Sequence, residues 1–302
     1  MKTHRAWLGA AGIVTWQLAA ILIAQSEKIS LSVFPHAGQT VRYRMTQDLT
    51  MTITSDADSD MPMPPMNVNA MTAITMSQAA GSADSDGRLP VILTYEEFAT
   101  EVKINGNAPR LPEKNPFAGK QFTAIYSPDG TVLDLTGPAG TEAMIAPLKQ
   151  MLTQLSAQLP QVKVAVGETT TIPVKMPLPL PVPGAKGFDL QGTSTLTIVS
   201  IDKDGASRVA SCESKLNATL VNAADPSSTE TAANPGMNPA DVAMDLGMVG
   251  SGKLQVDIDR GVMKLNESTT TVDGTISTPG RNGKAGRMKL HGVTKITVAE
   301  AR

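Results

Sequence analysis

A strand, a glycine turn and a returning strand occur twice in this chain. Gly119–Leu135 has a counterpart in Gly252–Leu265, with Gly130 and Gly261 at the two turns. Matching pieces precede each copy in the same order. Ala37-Gly38-Gln39-Thr40-Val41 heads the first unit, and Val166-Gly167-Glu168-Thr169 heads the second. Asp86-Gly87 and Asp204-Gly205 each separate a pair of strand-like runs. Corresponding glycines lie 129 (167 − 38), 118 (205 − 87) and 131 (261 − 130) positions apart. Differences of that size fall in loops, where a duplicated β unit absorbs them. The spacing predicts a first β unit over 27–139, a linking helix over 140–160 and a second β unit over 161–302.

Within each unit the apolar residues alternate with period two, the signature of half-buried strands. Val41, Tyr43, Met45, Leu49, Met51 and Ile53 share one parity, broken once by Gln47. Val68, Ala70, Ile74 and Met76 continue the pattern. Between Leu93-Tyr95 and Phe98-Val102-Ile104 the parity changes, which predicts a bulge near Glu96-Glu97. Thr193–Ile201, Ser207–Leu220, Thr269–Ile276 and Met288–Val298 are read as further strands.

Thr141–Leu159 instead places Met144, Ile145, Leu148, Met151, Leu152, Leu155 and Leu159 at helical spacing, ended by Pro160. Its polar face carries a single lysine, so packing on a sheet is preferred to a membrane surface. A shorter helix is expected over Pro239–Met248. Ser55–Asn67 and Asn222–Asn238 read as loops. Pro173–Gly184 alternates proline with apolar residues, so it cannot form a central strand; an extended polyproline-type arm along a surface or sheet edge is expected. The fold class is therefore mainly β: two related antiparallel curved sheets or half-barrels with one amphipathic linking helix.

Residues 1–26 read as a signal peptide. Lys2, His4 and Arg5 precede an uncharged run, Ala6–Ala24, followed by small or polar residues. Retention of that run as an anchor is the alternative. The expected location is periplasmic or extracellular, in a bacterial cell envelope. Cys212 is the only cysteine, so no intramolecular disulfide can form. It shares a parity with Ala210, Leu216, Ala218 and Leu220, and is expected in the core. The net charge of −2 and the 3% aromatic content give no basis for nucleic-acid binding or for stacking platforms.

Residues able to carry chemistry are few. Apart from His4, the histidines are His36, in a turn, and His291, whose parity points it to solvent; neither belongs to a zinc-type spacing. Asp257 and Asp259 share a face opposite Leu254, Val256 and Ile258, and are expected to be solvated. Glu97 and Glu101 share a parity with Tyr95 and could meet in a groove, but stacking aromatics for a glycan are missing. No catalytic residue, cofactor-binding residue or metal ligand is assigned, no cofactor is expected, and the chain is read as no enzyme. The 16 methionines include Met61, Met63 and Met66, where thioether sulfurs could converge on Cu(I). The competing role is flexible apolar filler.

Gly38-Gln39-Thr40-Val41-Arg42-Tyr43, the mid-chain helix and Val162–Thr169 resemble an uncharacterised family of exported bacterial proteins with a domain of unknown function. At fold level, long antiparallel strands with a covering helix are similar to the half-barrel lipid and lipoprotein carriers of the cell envelope. The resemblance implies an apolar ligand held between a curved sheet and helices. The leading expectation is a non-enzymatic envelope protein that binds a lipid, another apolar ligand or an envelope component in a sheet concavity. A cavity of ~300–1,000 Å³ should then lie between the units. The alternative is a structural module that docks another envelope protein through sheet edges or the proline-rich arm. No nucleic acid is expected, and a membrane only through an uncleaved signal segment.

Overall fold

The computed structural model describes residues 28–31, 33–55, 64–109, 118–142, 145–146, 148–149, 152–153, 163–178, 188–222, 243–278 and 286–301. The signal segment, Met61, Met63, residues 179–184 of the proline-rich arm and most of the Asn222–Asn238 loop lie outside them.

The first unit contributes β1 (Thr40–Ser55), β2 (Met66–Ala80), β3 (Leu89–Ile104), β4 (Gln121–Tyr126) and β5 (Val132–Thr136). The second contributes β6 (Thr169–Leu178), β7 (Phe188–Asp204), β8 (Ser207–Asn222), β9 (Ala243–Asp257), β10 (Val262–Thr278) and β11 (Gly286–Glu300). All are antiparallel. The chain is mainly antiparallel β, as expected, and its strands form one sheet of eleven rather than a pair, in the order β5-β4-β3-β2-β1-β11-β10-β9-β8-β7-β6. The two units merge because β1 pairs with β11 along its length, from Tyr43↔Glu300 to Ser55↔Met288. The sheet is not closed, and β5 and β6 are its edges.

Equivalent parts of the two units have equivalent geometry. Gly38 and Gly167 both have positive φ, and each donates its N–H to the carbonyl of a neighbouring segment, Ala80 and Ile198 respectively. Each glycine hairpin carries a bulge, with Leu133 extra in β5 and Lys264 extra in β10. These residues lie 131 positions apart (264 − 133), the spacing of the turn glycines (261 − 130). The bulge expected near Glu96 is present, since Thr75 opposes Glu97 while Met76 opposes Tyr95.

Other expectations need correction. Pro239–Met248 is not a helix from Ala243 onward, because β9 starts there and lies between β8 and β10. Long pairing on both sides outweighs a weak local helical pattern. The proline arm is a strand as far as Leu178, and it takes the edge position. Pro173 and Pro177 share a parity, so both missing N–H donors fall on one side, away from β7.

The sheet is strongly curled at the end where β1 begins. β4 and β10 are five strand spacings apart, ~24 Å in a flat sheet. Yet Phe34 reaches both places. Its ring meets Tyr126 of β4 edge-on, with centroids 5.3 Å apart, and its carbonyl oxygen lies 2.3 Å from where a Cβ on Gly261 would stand. Only glycine fits at 261, where φ is +63° and the neighbouring backbone leaves no room.

One face of the sheet holds the core. Leu148 and Leu152, on the helical residues between 142 and 153, pack on Leu93, Phe122, Ala124 and Leu135 of the first unit. Lys149 Nζ also donates to the carbonyl of the bulged Leu133, 2.6 Å away, satisfying an acceptor on the edge strand. Over the second unit the cover is different. Ile29, Leu31 and Val164 lie on Leu196, Ile198, Ala210, Cys212 and Val256, with Ile29 and Val164 exchanging two 2.9 Å backbone hydrogen bonds. Full burial of one such side chain contributes ~1.5–3 kcal/mol.

Candidate functional site

Among the described residues, the apolar face of the sheet is filled at one end and left part-exposed at the other. At the narrow end, where the connections are 81–88, 127–131, 205–206 and 258–261, Val41, Tyr43, Val91, Leu93, Phe122, Val256 and Val262 are buried. At the wide end, where the connections are 56–65, 105–120, 179–187, 223–242 and 279–285, the same parity is only half-buried. Met51 and Ile53 of β1, Met66 and Val68 of β2, Val272 and Ile276 of β10, and Met288 and Leu290 of β11 are all of this kind. Ile104, at the end of β3, is 37% exposed.

Register places these residues side by side. One row across the sheet reads Ile104, Val68, Met51, Gly292, Val272, Met248, Ala218, Gly192, Val174. The row beyond it includes Met66, Ile53, Leu290, Gly274, Leu246, Leu220 and Leu190. Neither contains a polar side chain. On β7–β9 the wide end is filled, with Leu190, Ala218 and Leu246 buried. There the sheet bends tightly at Gly192, where an added Cβ would stand 2.2 Å from the Asn217 carbonyl oxygen. The open patch is thus confined to β3, β2, β1, β11 and β10. Among the described strands β3 is the outermost at the wide end, because β4 pairs only with Leu89–Thr94.

The opposite face is mainly polar, with Arg42, Arg44, Asp48, Glu101, Lys103, Glu213, Lys215, Lys253, Glu267, Asp273, Lys289 and Lys295 exposed or part-exposed, and it also carries the exposed Met71, Ile92 and Val249. Transmembrane barrels show the reverse arrangement, an apolar band facing outward. No helix of the described residues is long and apolar enough to cross a membrane. Two concavities, of about 390 Å³ and 600 Å³, are lined mainly by this polar face. The first holds Thr52, Thr54, Asp273, Lys289 and His291, and the second Thr193, Thr195, Lys215, Asn217, Ser251 and Thr269. Neither is the enclosed apolar cavity expected between the units.

The candidate chemical residues do not converge. His36 is exposed in the turn before β1, its N–H donating to Gln39 Oε1. His291, opposite Thr52 near the wide end, pairs with Asp273 at 2.5 Å in solvent. Among the described residues no group of three or more His, Cys, Asp or Glu is placed to hold a metal. Glu97 and Glu101 do not meet Tyr95, because the extra residue Glu96 turns them to the polar face. Glu97 accepts from Thr75 Oγ1 at 3.0 Å, and Glu101 pairs with Lys103 at 2.6 Å.

Asp259 is exposed and paired with Arg208, whose hydrogen bonds hold its carboxyl below the usual range. Asp257 is not solvated as expected: it is 2% exposed and accepts the Arg260 N–H at 3.0 Å, closing the β9–β10 turn. Cys212 is buried as expected, and burial pushes its thiol up to about 11, which disfavours the thiolate. Met66 is the first residue of β2 and faces Ile53 across the sheet, on the apolar face rather than in the loop.

What sequence reading missed is the open patch itself. Its parity was legible, but its exposure depends on strand register and curvature.

No known protein family matches the chain, and no curated protein does. Among solved structures it is similar to lipovitellin, in a study of lipid–protein interactions, with 10% identity and a TM-score of 0.48. That alignment covers 89% of this chain and 26% of lipovitellin, so the chain spans about a quarter of that protein's length. An outer membrane channel from Pseudomonas putida aligns over 89% of this chain and 97% of its own, with 10% identity and a TM-score of 0.18. OccK8 (OprE) of Pseudomonas aeruginosa aligns over 89% and 100%, with 8% identity and a TM-score of 0.23. The likenesses are distant.

Proposed function

We propose that this chain is a non-enzymatic, exported protein of the bacterial cell envelope that holds an apolar, alkyl-chain ligand on the open half of its curved sheet. The observation that carries the reading is the gradient along one face. Side chains of one parity are fully buried at the narrow end and left half-exposed at the wide end, with no charged group among them. A soluble protein that leaves a contiguous apolar patch uncovered keeps it for a partner or a ligand.

The size of the patch favours a ligand. Five strands at ~4.8 Å and about five residues along each at ~3.4 Å give roughly 400 Å². A stable interface between protein copies needs about 800 Å² from each partner. The surface lacks charged groups, which suits methylene chains. Docking of a protein partner by strand addition is opposed at the β6 edge, where Pro173 and Pro177 remove donors from the outward side.

Native mass spectrometry of the full chain purified from a bacterial envelope tests the reading. A retained lipid-sized mass is expected, lost when Met51 is replaced by glutamate, which puts a charge in the middle of the patch while leaving the filled end untouched. A protein that carries no such mass and takes up no fatty acid when offered one would overturn the proposal.

A further inference from the structure

Between the filled end and the open patch, the apolar face changes character. The register aligns Thr100, Thr72, Gln47, Ile296, Ser268, Gly252 and Ser214 in one row across seven strands, from β3 to β8. Ile296 is its only large apolar member. The row toward the wide end is still mixed, with Thr294 and Thr270 beside Leu49; the next is wholly apolar. The hydroxyls stand close together and over glycines. Thr72 Oγ1 and Thr100 Oγ1 are 3.4 Å apart. Ser214 Oγ lies 3.0 Å from where a Cβ on Gly252 would be, and Thr270 Oγ1 lies 2.9 Å from that of Gly250.

We infer that this polar belt sets how far an alkyl chain reaches into the sheet, so that the protein selects apolar ligands by chain length. The inference rests on the reading of the open patch as a ligand site. A methylene gains free energy only while it displaces water from apolar surface. Laid over hydroxyls and the Gln47 amide, it strips those groups of water and offers no hydrogen bond in return. The chain therefore stops at the belt, with its polar head at the wide rim. From Gln47 in the belt to Ser55, the last residue of β1 paired with β11, is eight residues (55 − 47), or ~27 Å at ~3.4 Å each. An extended chain advances ~1.2 Å per bond, so the face accommodates about twenty-two carbons up to the belt. Beyond the belt, Met45, Ile74 and Phe98 are still half-buried, so removing the belt leaves somewhere for a longer chain to go. Tyr43, at 6% exposure, closes the next row.

The test uses the full chain and saturated fatty acids of about eight to twenty-eight carbons, competing against a fluorescent fatty acid. In the wild-type protein, each added methylene tightens binding by up to about fourfold, and the gain levels off near twenty-two carbons. In the triple variant Gln47→Leu, Thr72→Val, Ser268→Ala the plateau moves up by about five carbons, one row of the sheet. In Met51→Gln, Val68→Thr, which brings the polar zone two rows toward the rim, it moves down by about eleven carbons. Shifts in these opposite directions support the belt as the length determinant. If wild-type affinity depends on chain length but the plateau stays in place in both variants, the belt is not the determinant, while the ligand site stands. If no acid binds the wild type, the ligand reading falls as well. Should the triple variant not fold, the second variant decides alone, because its two positions are half-exposed.

Discussion

The narrow and wide ends of the apolar face are made of the same strands and the same parity, yet one is a core and the other a surface. At the narrow end the turns are short, Phe34 sits between the two glycine hairpins, and the helical residues and the segment 28–34 cover what the strands present. At the wide end, strands of the same composition run on beyond those covers. Apolar patterning thus specifies which face turns inward, but curvature and covering segments determine whether that face is filled.

The largest expected contrast comes from truncating one residue at each end. Phe122 is fully buried and meets Tyr95 edge-on at 5.9 Å, so Phe122→Ala should cost about 3–5 kcal/mol in denaturant unfolding. Val68→Ala, in the open patch, should cost under ~1 kcal/mol. Equal losses would break the comparison, because both ends would then be core.

Alkaline pH offers a second probe of the filled end. Tyr43, Tyr95 and Tyr126 are the only tyrosines, all are buried, and burial raises the pKa of each. For Tyr43 the value is pushed up to about 12. A folded value above the unfolded one means that the stability is fully present below ~10 and is lost as pH rises through about 12. That window corresponds to ~2–3 kcal/mol for Tyr43. Unfolding free energy measured from pH 9 to 12 should fall steeply for the wild type, and less so for Tyr43→Phe.

Gly261→Ala tests the curl itself. The substitution places a Cβ against the Phe34 carbonyl at positive φ, and a loss of ~1–3 kcal/mol is expected. If the crowding holds the hairpin to Phe34, hydrogen exchange near Phe34 should accelerate while exchange at the wide end stays unchanged. The smallest effect is expected at Asp259. Arg208 lowers its pKa, so its contribution is present above the unfolded value of ~3.9 and is lost as pH falls through the lower folded value. Because the group is exposed, Asp259→Asn should alter only the acid limb of the stability curve, and slightly. A change near neutral pH would show that the pair does more than trim the turn.

Much of this architecture was legible in the residues. Period-two alternation identified the inward parity of β1, β2 and β11, the parity change at Glu96 announced a bulge, and the glycine pairs marked both hairpins. Other features were not legible, for identifiable reasons. Asp257 looks solvent-facing on a strand, but it closes a turn at the strand's end and is buried there. Glu97 and Glu101 left Tyr95 because one bulged residue reverses parity. Ala243–Met248 looked helical until β8 and β10 were seen to flank it. Gln47 looked like an isolated exception, since nothing local shows that Thr72, Thr100, Ser268 and Ser214 come to its level.

The residues alone determined that the chain forms long antiparallel strands with one apolar face, because alternation is a local property of extended backbone. Tertiary structure decided that the two units form a single sheet, through the pairing of β1 with β11 from opposite ends of the chain. It also decided where the apolar face is filled, where it stays open and where a polar belt divides it. Those outcomes depend on register between strands far apart in sequence and on how sharply the sheet curls, and neither is carried by any short stretch of residues.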